Sequence, residues 1–427
     1  MVVYDCDARS GLMNDGASAP RAPPQNQRRN DIERTATSAG STLSTARSLM
    51  KVRYITRLSQ IEQLSDAERK ELEPVADRFA FRLNDYYAGL INWGDPNDPL
   101  RRLVIPQVAE LRDWGKLDAS DEASYTPVRG CQHKYTDTAL LLVNEVCGAY
   151  CRYCFRKRLF MNDNDEASLD YSPGLAYIAE HEEITNVLLT GGDPLILSTR
   201  RLEKIFSDVA AIPHVRIIRV GSKMVPFNPH RVLDDPTLHD LIQQTVAAGT
   251  QVYIMNHFDH PREITNEAKQ AIRILQSAGA QTVNQCPMVR GVNDQVATMA
   301  SLFRELSFLG CPQYYVFQGR PVEGNEPFEV PLVAGFHIFL EAARHVSGLA
   351  KRARFAMSHR TGKVEIVGVD DACIYMRYHR SHRKEDFGRM LVARRDDEAY
   401  WLDQLEILTG PDTLRPRQAA AQKWVAN

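Results

Sequence analysis

No apolar run in this chain approaches the length a helix needs to cross a bilayer, and the N-terminal stretch has no apolar leader core. The expectation is a cytoplasmic protein with no membrane contact. Cysteine is sparse, 8 in 427 residues, and forms no closely spaced even set, so a disulfide framework is excluded and reduced thiols are expected. Charge of one sign is also missing. The 52 Lys and Arg stand against 54 Asp and Glu, a formal net charge of −2, and nothing in that balance attracts nucleic acid. No internal repeat is present. At 44% hydrophobic and 25% charged, the chain can bury a large core in one main domain with extensions.

Against this scarcity, three cysteines crowd into one run, C-G-A-Y-C-R-Y-C-F-R-K-R, with Cys147, Cys151 and Cys154 spaced C-x3-C-x2-C. Three thiolates are one short of closing a [4Fe–4S] cluster and leave its fourth iron open to a substrate or cofactor. Zinc sites pair C-x2-C or Cys/His elements, and no second pair or suitably placed His follows. Cys286, Cys311 and Cys373 are scattered, so no structural zinc is expected. Three unrelated buried thiols are the ordinary alternative, and the spacing argues against it. The run directly follows the apolar Leu140–Val143, which places it on a loop at the carboxyl end of a strand.

Residues 1–50, rich in Ser, Ala, Thr, Asn, Arg and Pro, bury too little apolar surface to offset their ordering entropy and read as a disordered arm. Residues 51–130 read as a helical N-terminal domain, with Leu58, Ile61, Leu64, Leu72, Val75, Phe79 and Phe81 at three- and four-residue spacings. From 131 to 350 strand and helix patterns alternate. The strands are Leu140–Val143, Val187–Thr190, Val215–Val220, Val252–Met255, Thr282–Asn284 and Tyr314–Phe317. Between them lie helices at Thr199–Ala210, Thr237–Ala248, Thr265–Ala278 and Val296–Leu309. Such succession predicts an α/β fold, a parallel sheet with right-handed crossovers forming a partial (β/α)6 TIM-like barrel; a doubly wound open sheet is the alternative. Residues 351–427 form an α+β extension. There Val364–Val369 reads as a strand, and Tyr400–Leu408 as a last amphipathic helix that caps the barrel or joins subunits of a homo-oligomer. The chain past Pro411 reads as irregular. The basic run Arg377–Lys384 reads as a solvated face, with a phosphate or partner contact as the alternative.

Polar residues recur where each strand ends: Gly191-Gly192-Asp193-Pro194, Gly221-Ser222-Lys223, Asn256-His257, Asn284-Gln285 and Gln318-Gly319-Arg320. Barrel folds place their chemistry at these ends. Singly each is weak, since Gly-Gly-Asp-Pro suits an ordinary turn and a lone His is usually a hydrogen-bonded, half-buried one. Their repetition after successive strands is what points to a site.

Over residues 85 to 370 the chain resembles the radical S-adenosylmethionine enzymes, and within them the lysine 2,3-aminomutase family. The resemblance is carried by Ile91-Asn-Trp93, Arg101-Arg102, His133-Lys-Tyr135, the cysteine run, Thr190-Gly-Gly-Asp-Pro194, Asn256-His-Phe-Asp-His-Pro261, Asn284-Gln285 and Arg290-Gly-Val-Asn-Asp294. It implies that Cys147, Cys151 and Cys154 hold a [4Fe–4S] cluster whose open iron binds S-adenosylmethionine. A reductant such as flavodoxin or ferredoxin would start cleavage to a 5′-deoxyadenosyl radical. Gly191, Gly192, Asp193, Ser222, His257 and Gln285 are implied to surround that cofactor. Glycines let backbone approach closely, and Asp193 can accept from an ammonium.

The same resemblance implies pyridoxal 5′-phosphate (PLP) on Lys363, in Ser358-His-Arg-Thr-Gly-Lys-Val-Glu365; His359 and Arg360 would serve as neighbouring cations if they face the pocket. A solvated turn lysine is the plain alternative, since only Gly362 remains of the family's glycine run. Lys134 and Tyr135 match the phosphate site, while Thr138 replaces a second family arginine. Arg156 matches the arginine that clamps the substrate carboxylate. The two aspartates that hold a lysine substrate's ammonium become Arg320 and Ser358, which repels lysine and suits an acidic or neutral polar α-amino acid. Arg320 could instead pair with Glu323 or Glu326. The implied activity is an isomerase that moves an amino group from Cα to Cβ. Two other classes stay open: a PLP-independent radical enzyme such as an epimerase or dehydrogenase, and a non-catalytic iron–sulfur protein.

Overall fold

Two-residue alternation lays down the central sheet. In Asn186–Gly191 the buried Val187 and Leu189 alternate with Asn186, Leu188 and Thr190; in Ile217–Ser222, Ile218 and Val220 alternate with Ile217, Arg219 and Gly221. The first set faces the helices and the second the opposite, inner face. The helix Thr199–Ala210 answers with Leu202, Ile205, Phe206 and Val209 at three- and four-residue spacing. Each such side chain, fully buried, contributes about 1.5–3 kcal/mol. Helix starts are fixed by Thr265, which accepts from Ala268 N–H, and Asp235, which accepts from Thr237 N–H.

The computed structural model describes residues 52–161, 166 and 170–411. The expected arm at 1–50 and the irregular tail at 412–427 lie outside the described residues. One 12-stranded sheet runs in chain order: β1 (Cys131–Tyr135), β2 (Thr138–Asn144), β3 (Asn186–Gly191), β4 (Ile217–Ser222), β5 (Gln251–Asn256), β6 (Gln281–Pro287), β7 (Gln313–Phe317), β8 (Arg354–His359), β9 (Gly362–Val369), β10 (Cys373–Ser381), β11 (Met390–Arg394) and β12 (Ile407–Thr409). Strands β2 to β8 are parallel neighbours; β1 and β9 to β12 are added antiparallel. The order has no reversal of the kind at which doubly wound sheets open their crevice.

All six expected strands form. The third starts two residues late, at Ile217, because Val215 N–H closes a turn on Ile212 O. Beyond the expected six, β8 is a further parallel strand, reached through the helix Leu332–Arg344. One expectation is corrected. Tyr400–Leu408 is not a helix: Gln404 Oε1 accepts from Tyr400 and Trp401 N–H, which closes a single turn at Leu402–Gln404, and Ile407–Thr409 then pairs with β11. The run Arg377–Lys384, expected as a solvated face, is only partly one: it begins on β10, where Tyr378 is buried, Arg377 meets Glu365 and Arg380 meets Asp137, and beyond the strand Arg383 is exposed and meets Glu385. Between residues 52 and 113 the one long helix is Asp66–Arg78, capped by Ser65 and Glu68; the remainder is short turns and a small ladder of Tyr54–Ile55 with Leu83–Asn84. Among the described residues, no helix is long and apolar enough to cross a membrane.

Two packings position the site. Ile55, Leu58, Leu83, Tyr87 and Leu100 pack with Ala149 and Tyr153 of the cysteine run and with Phe227 and Val289. This N-terminal segment covers the end of the sheet where the loops after the strands gather. Elsewhere, side chains rather than a ladder join β1 and the segment before it to the β8–β9 turn. Tyr125 Oη donates to Arg360 O at 2.7 Å, Ser120 Oγ to Ser358 O at 3.2 Å and Lys134 Nζ to His359 O at 2.6 Å.

Candidate active site

The cysteine loop leaves β2 and is fastened on two sides. Asn144 Nδ2 donates to Asp193 O at 2.7 Å, while Tyr150 and Arg152 N–H donate to Arg82 O and Leu103 O. The Arg152 guanidinium, 2% exposed, meets the fully buried Glu110 through bonds of 2.7–3.1 Å. Removing one partner of such a pair leaves a buried uncompensated charge. Glu110→Ala is therefore expected to destabilise the protein by about 3–5 kcal/mol, visible as a lower urea midpoint, and to impair iron retention.

Cys147, Cys151 and Cys154 are free thiols, each held above the ordinary thiol range chiefly by burial, and Cys154 raises the other two further. Converging thiols of this kind need positive charge among them to ionise, and iron supplies it. Among the described residues no three His, Cys, Asp or Glu side chains converge tightly enough for a single metal ion. A four-iron cube takes its thiolates at separate corners, and an open cluster fits this donor set.

The strand-end residues meet around that loop. Asp193 accepts from Leu195 N–H (3.0 Å), Ser222 Oγ (2.8 Å) and Lys223 N–H (2.7 Å), so it ties the end of β3 to that of β4. Gly191 has φ +118° and its Cβ would stand 2.4 Å from Asn144 O; one on Gly192 would stand 2.3 Å from Val146 O. These glycines make room for the cysteine loop itself. His257 Nε2 lies 3.2 Å from Tyr153 Oη, inside the cysteine run, and 3.2 Å from Asp259. Gln285 is half-buried at a register shift between β6 and β7. Behind them Lys223 Nζ is buried between Asp259 (2.6 Å) and Glu263 (2.7 Å), a triad the sequence did not announce.

Lys363 is the second residue of β9, directly across from Ser358 in register. Its Nζ stands 4.2 Å from the Tyr315 ring centroid and 5.1 Å from that of Phe317. Burial, then Arg219, Arg380, Arg320 and Lys134, push its pKa well below the ordinary lysine value. The solvated-turn alternative does not describe this lysine. Nor do His359 and Arg360 act as its cations. His359 is buried against Thr361 and 3.2 Å from Asp403, to which Arg360 also turns. Lys134 is itself lowered to about 7 by burial and then by Arg320. Tyr135 Oη is buried beside Ser358. A lysine ringed by cations, with Glu122 and Asp137 already engaged by Arg320 and Arg380, suits an anionic cofactor, and PLP fits it.

Arg156 and Arg320, expected to bind substrate, converge on a carboxylate that went unnoticed in the sequence. Glu122 takes Arg156 Nη2 and Nε at 3.0 and 3.1 Å, Arg158 Nη2 at 2.7 Å and, more loosely, Arg320 Nη1 at 3.6 Å. Burial opposes its charge, but Arg156 and Arg320 hold its pKa below the ordinary carboxylate range. Arg156 also donates to Thr190 Oγ1 and Gln132 Oε1. Arg320 lies 3.7 Å over the Phe155 ring. Glu323 and Glu326, its expected alternatives, are engaged by Arg78 and Arg112.

No family model matches the chain. A putative L-lysine 2,3-aminomutase of Aquifex aeolicus is 54% identical over 354 residues, 83% of this chain and 95% of that protein. The L-lysine 2,3-aminomutase of Fusobacterium nucleatum and the glutamate 2,3-aminomutase of Clostridioides difficile are each 33% identical over 303 residues, 70% of both chains in each case. With the cysteine loop, the strand-end rim and the cation-ringed lysine in one place, the chain belongs to the lysine 2,3-aminomutase family of radical S-adenosylmethionine isomerases, which work with a [4Fe–4S] cluster, S-adenosylmethionine and PLP.

Proposed function

We propose that this chain is a radical S-adenosylmethionine, PLP-dependent 2,3-aminomutase acting on an acidic or neutral polar α-amino acid rather than lysine. The observation that carries the reading is Arg320. It is 16% exposed, and the carboxylate that pairs with it among the described residues, Glu122, is already shared with Arg156 and Arg158. A lysine ammonium brought there would face cations, whereas a side-chain carboxylate would find a guanidinium fork.

When bound, the cluster with S-adenosylmethionine supplies a hydrogen-abstracting radical, and PLP supplies a conjugated ring that carries the migrating amine. Cys147, Cys151 and Cys154 hold the iron; Asp193 and Ser222 fix the rim beside it, with His257 and Gln285 completing that rim. Lys363, deprived of its proton by burial and neighbouring cations, presents a nucleophilic amine. Tyr315 and Phe317 shield it from water. Arg156 orients the substrate carboxylate, and Arg320 with Ser358 reads the side chain. Electrons come from a flavodoxin- or ferredoxin-like reductant. The sheet curls into a partial barrel, a shape supported by Arg380 of β10 reaching Asp137 at the β1–β2 turn.

Lysine is the second reading, favoured by the printed name of the 54% identical relative and by Glu122 as a buried carboxylate. Anaerobic assay of the reconstituted protein with reductant, S-adenosylmethionine and PLP across an amino-acid panel decides between them. β-Glutamate or β-aspartate as product is the expected result. β-Lysine alone would assign Glu122, not Arg320, to the side chain.

A further inference from the structure

The reading of Lys363 as the PLP lysine leaves the phosphate to be placed. A phosphate ester carries between one and two negative charges at neutral pH and needs more than one cation in a half-buried site. Of the cations acting on Lys363 besides Arg380, Arg219 comes from the middle of β4, Arg320 is directed to Glu122, and Lys134 spends a donor on His359 O. On β2, Thr138 offers a hydroxyl and no charge at all.

Arg380 fills that gap from a different strand. It stands opposite Lys363 in the β9–β10 register, and its Nη2 lies 3.4 Å from Thr138 Oγ1. Its guanidinium carbon sits 4.4 Å over the Tyr135 ring. The ion pair it makes with Asp137 is to a carboxylate 62% exposed, on the solvent side, while Arg380 itself is 24% exposed. A guanidinium has five N–H donors, so Asp137 and Thr138 do not exhaust it. The strand is held close as well. Gly362 has φ +151°, and a Cβ there would come within 2.3 Å of Arg380 O. Lys134, Tyr135, Thr138 and Arg380 thus form one cradle beside Lys363.

We propose that Arg380 is a phosphate-positioning residue for PLP, supplied by β10 in place of the charge that β2 lacks at Thr138. This rests on the Lys363 reading and deepens it. The chain would hold its cofactor between β1 and the β9–β10 hairpin, lysine and guanidinium on the hairpin and Lys134 on β1.

The test is a spectroscopic titration of the full-length, PLP-stripped protein with PLP and, separately, with pyridoxal, which lacks the phosphate. Arg380→Gln is expected to weaken PLP by about 10- to 100-fold, the loss of a charged hydrogen-bonding partner, and to leave pyridoxal unchanged. The double variant Thr138→Arg with Arg380→Gln, which moves the guanidinium back to β2, is expected to recover most of the PLP affinity. Equal weakening of both ligands would mean that Arg380 only supports the strand, and unchanged PLP affinity would mean that it does nothing for the phosphate; either overturns the proposal. Lys363→Ala is expected to lose the lysine-linked absorbance while Arg380→Gln keeps it at saturating PLP. Retention of that absorbance by Lys363→Ala would instead bring down the reading beneath.

Discussion

Replacing Arg320 with aspartate is expected to cut kcat/KM for an acidic α-amino acid by about 10²–10³-fold and to raise that for lysine. Breaking a buried charge pair on one side costs about 3–5 kcal/mol, and each 1.4 kcal/mol is a factor of ten. In Arg320→Asp the substrate carboxylate would meet a carboxylate instead of a guanidinium, so the effect carries repulsion as well as lost attraction. The new aspartate would also stand near Glu122, which loses one of its cations. Arg320→Gln is the control, since it removes the attraction and adds no charge. Kinetics with glutamate, aspartate and lysine give the answer directly. An unchanged ratio of acidic to basic substrate in both variants would sink the assignment of Arg320.

Lys363→Met is expected to abolish the PLP chromophore, lower product formation by about 10⁴-fold or more and yet make the cofactor-free protein more stable. The first two effects follow from losing the nucleophilic amine. The third follows from linkage. Burial first, and then Arg219, Arg380, Arg320 and Lys134, place the folded pKa of Lys363 well below its ordinary 10.5. Between the two values the unfolded chain binds a proton that the folded chain does not, so the wild type gains stability as pH rises towards 10.5 and loses it as pH falls. Methionine removes that dependence while filling similar space. The stability gap between variant and wild type should therefore be widest in the lower part of the range and close towards pH 10.5. Urea midpoints of both apo-proteins from pH 6.5 to 9.5 measure it. A gap independent of pH would mean that Lys363 keeps its proton in the fold.

Much of this architecture was legible in the residues. Val187 and Leu189, or Ile218 and Val220, announce strands by strict alternation, and Leu202, Ile205, Phe206 and Val209 announce a helix by theirs. Cys147, Cys151 and Cys154 are close in sequence, so spacing alone brought them together. Glu122 could not be found in that way. It sits in an acidic, turn-rich stretch where a solvated carboxylate is the ordinary expectation, and its guanidinium partners arrive from 34, 36 and 198 positions along the chain (122 to 156, 158 and 320). Arg380 was hidden inside a basic run whose members look alike until β10 fixes which side each takes. Arg219 did leave a signal, an arginine sharing its strand face with Ile217 rather than with the buried Ile218 and Val220. A charge on an otherwise apolar strand flags an inner surface with work to do. The misread segment at Tyr400–Leu408 failed for the opposite reason, because short apolar spacing fits one turn and a strand as readily as a helix.

The cysteine loop follows β2 and Lys363 is the second residue of β9, and every strand between them belongs to the same hydrogen-bonded ladder. The cysteine loop and Lys363 are thus tied together by a continuous ladder as well as by the contacts of Lys134 with His359 O and of Arg380 with Thr138, with no hinge in the ladder. Inserting one residue into β8 would not nudge Lys363 by a fraction of an ångström; it would turn it to the other face of the sheet, because side chains alternate with period two. Such a frame passes no small adjustments from one end to the other. If Arg156, Arg320 and Ser358 read the substrate as proposed, a new substrate would be accommodated by exchanging those side chains on an unmoved scaffold.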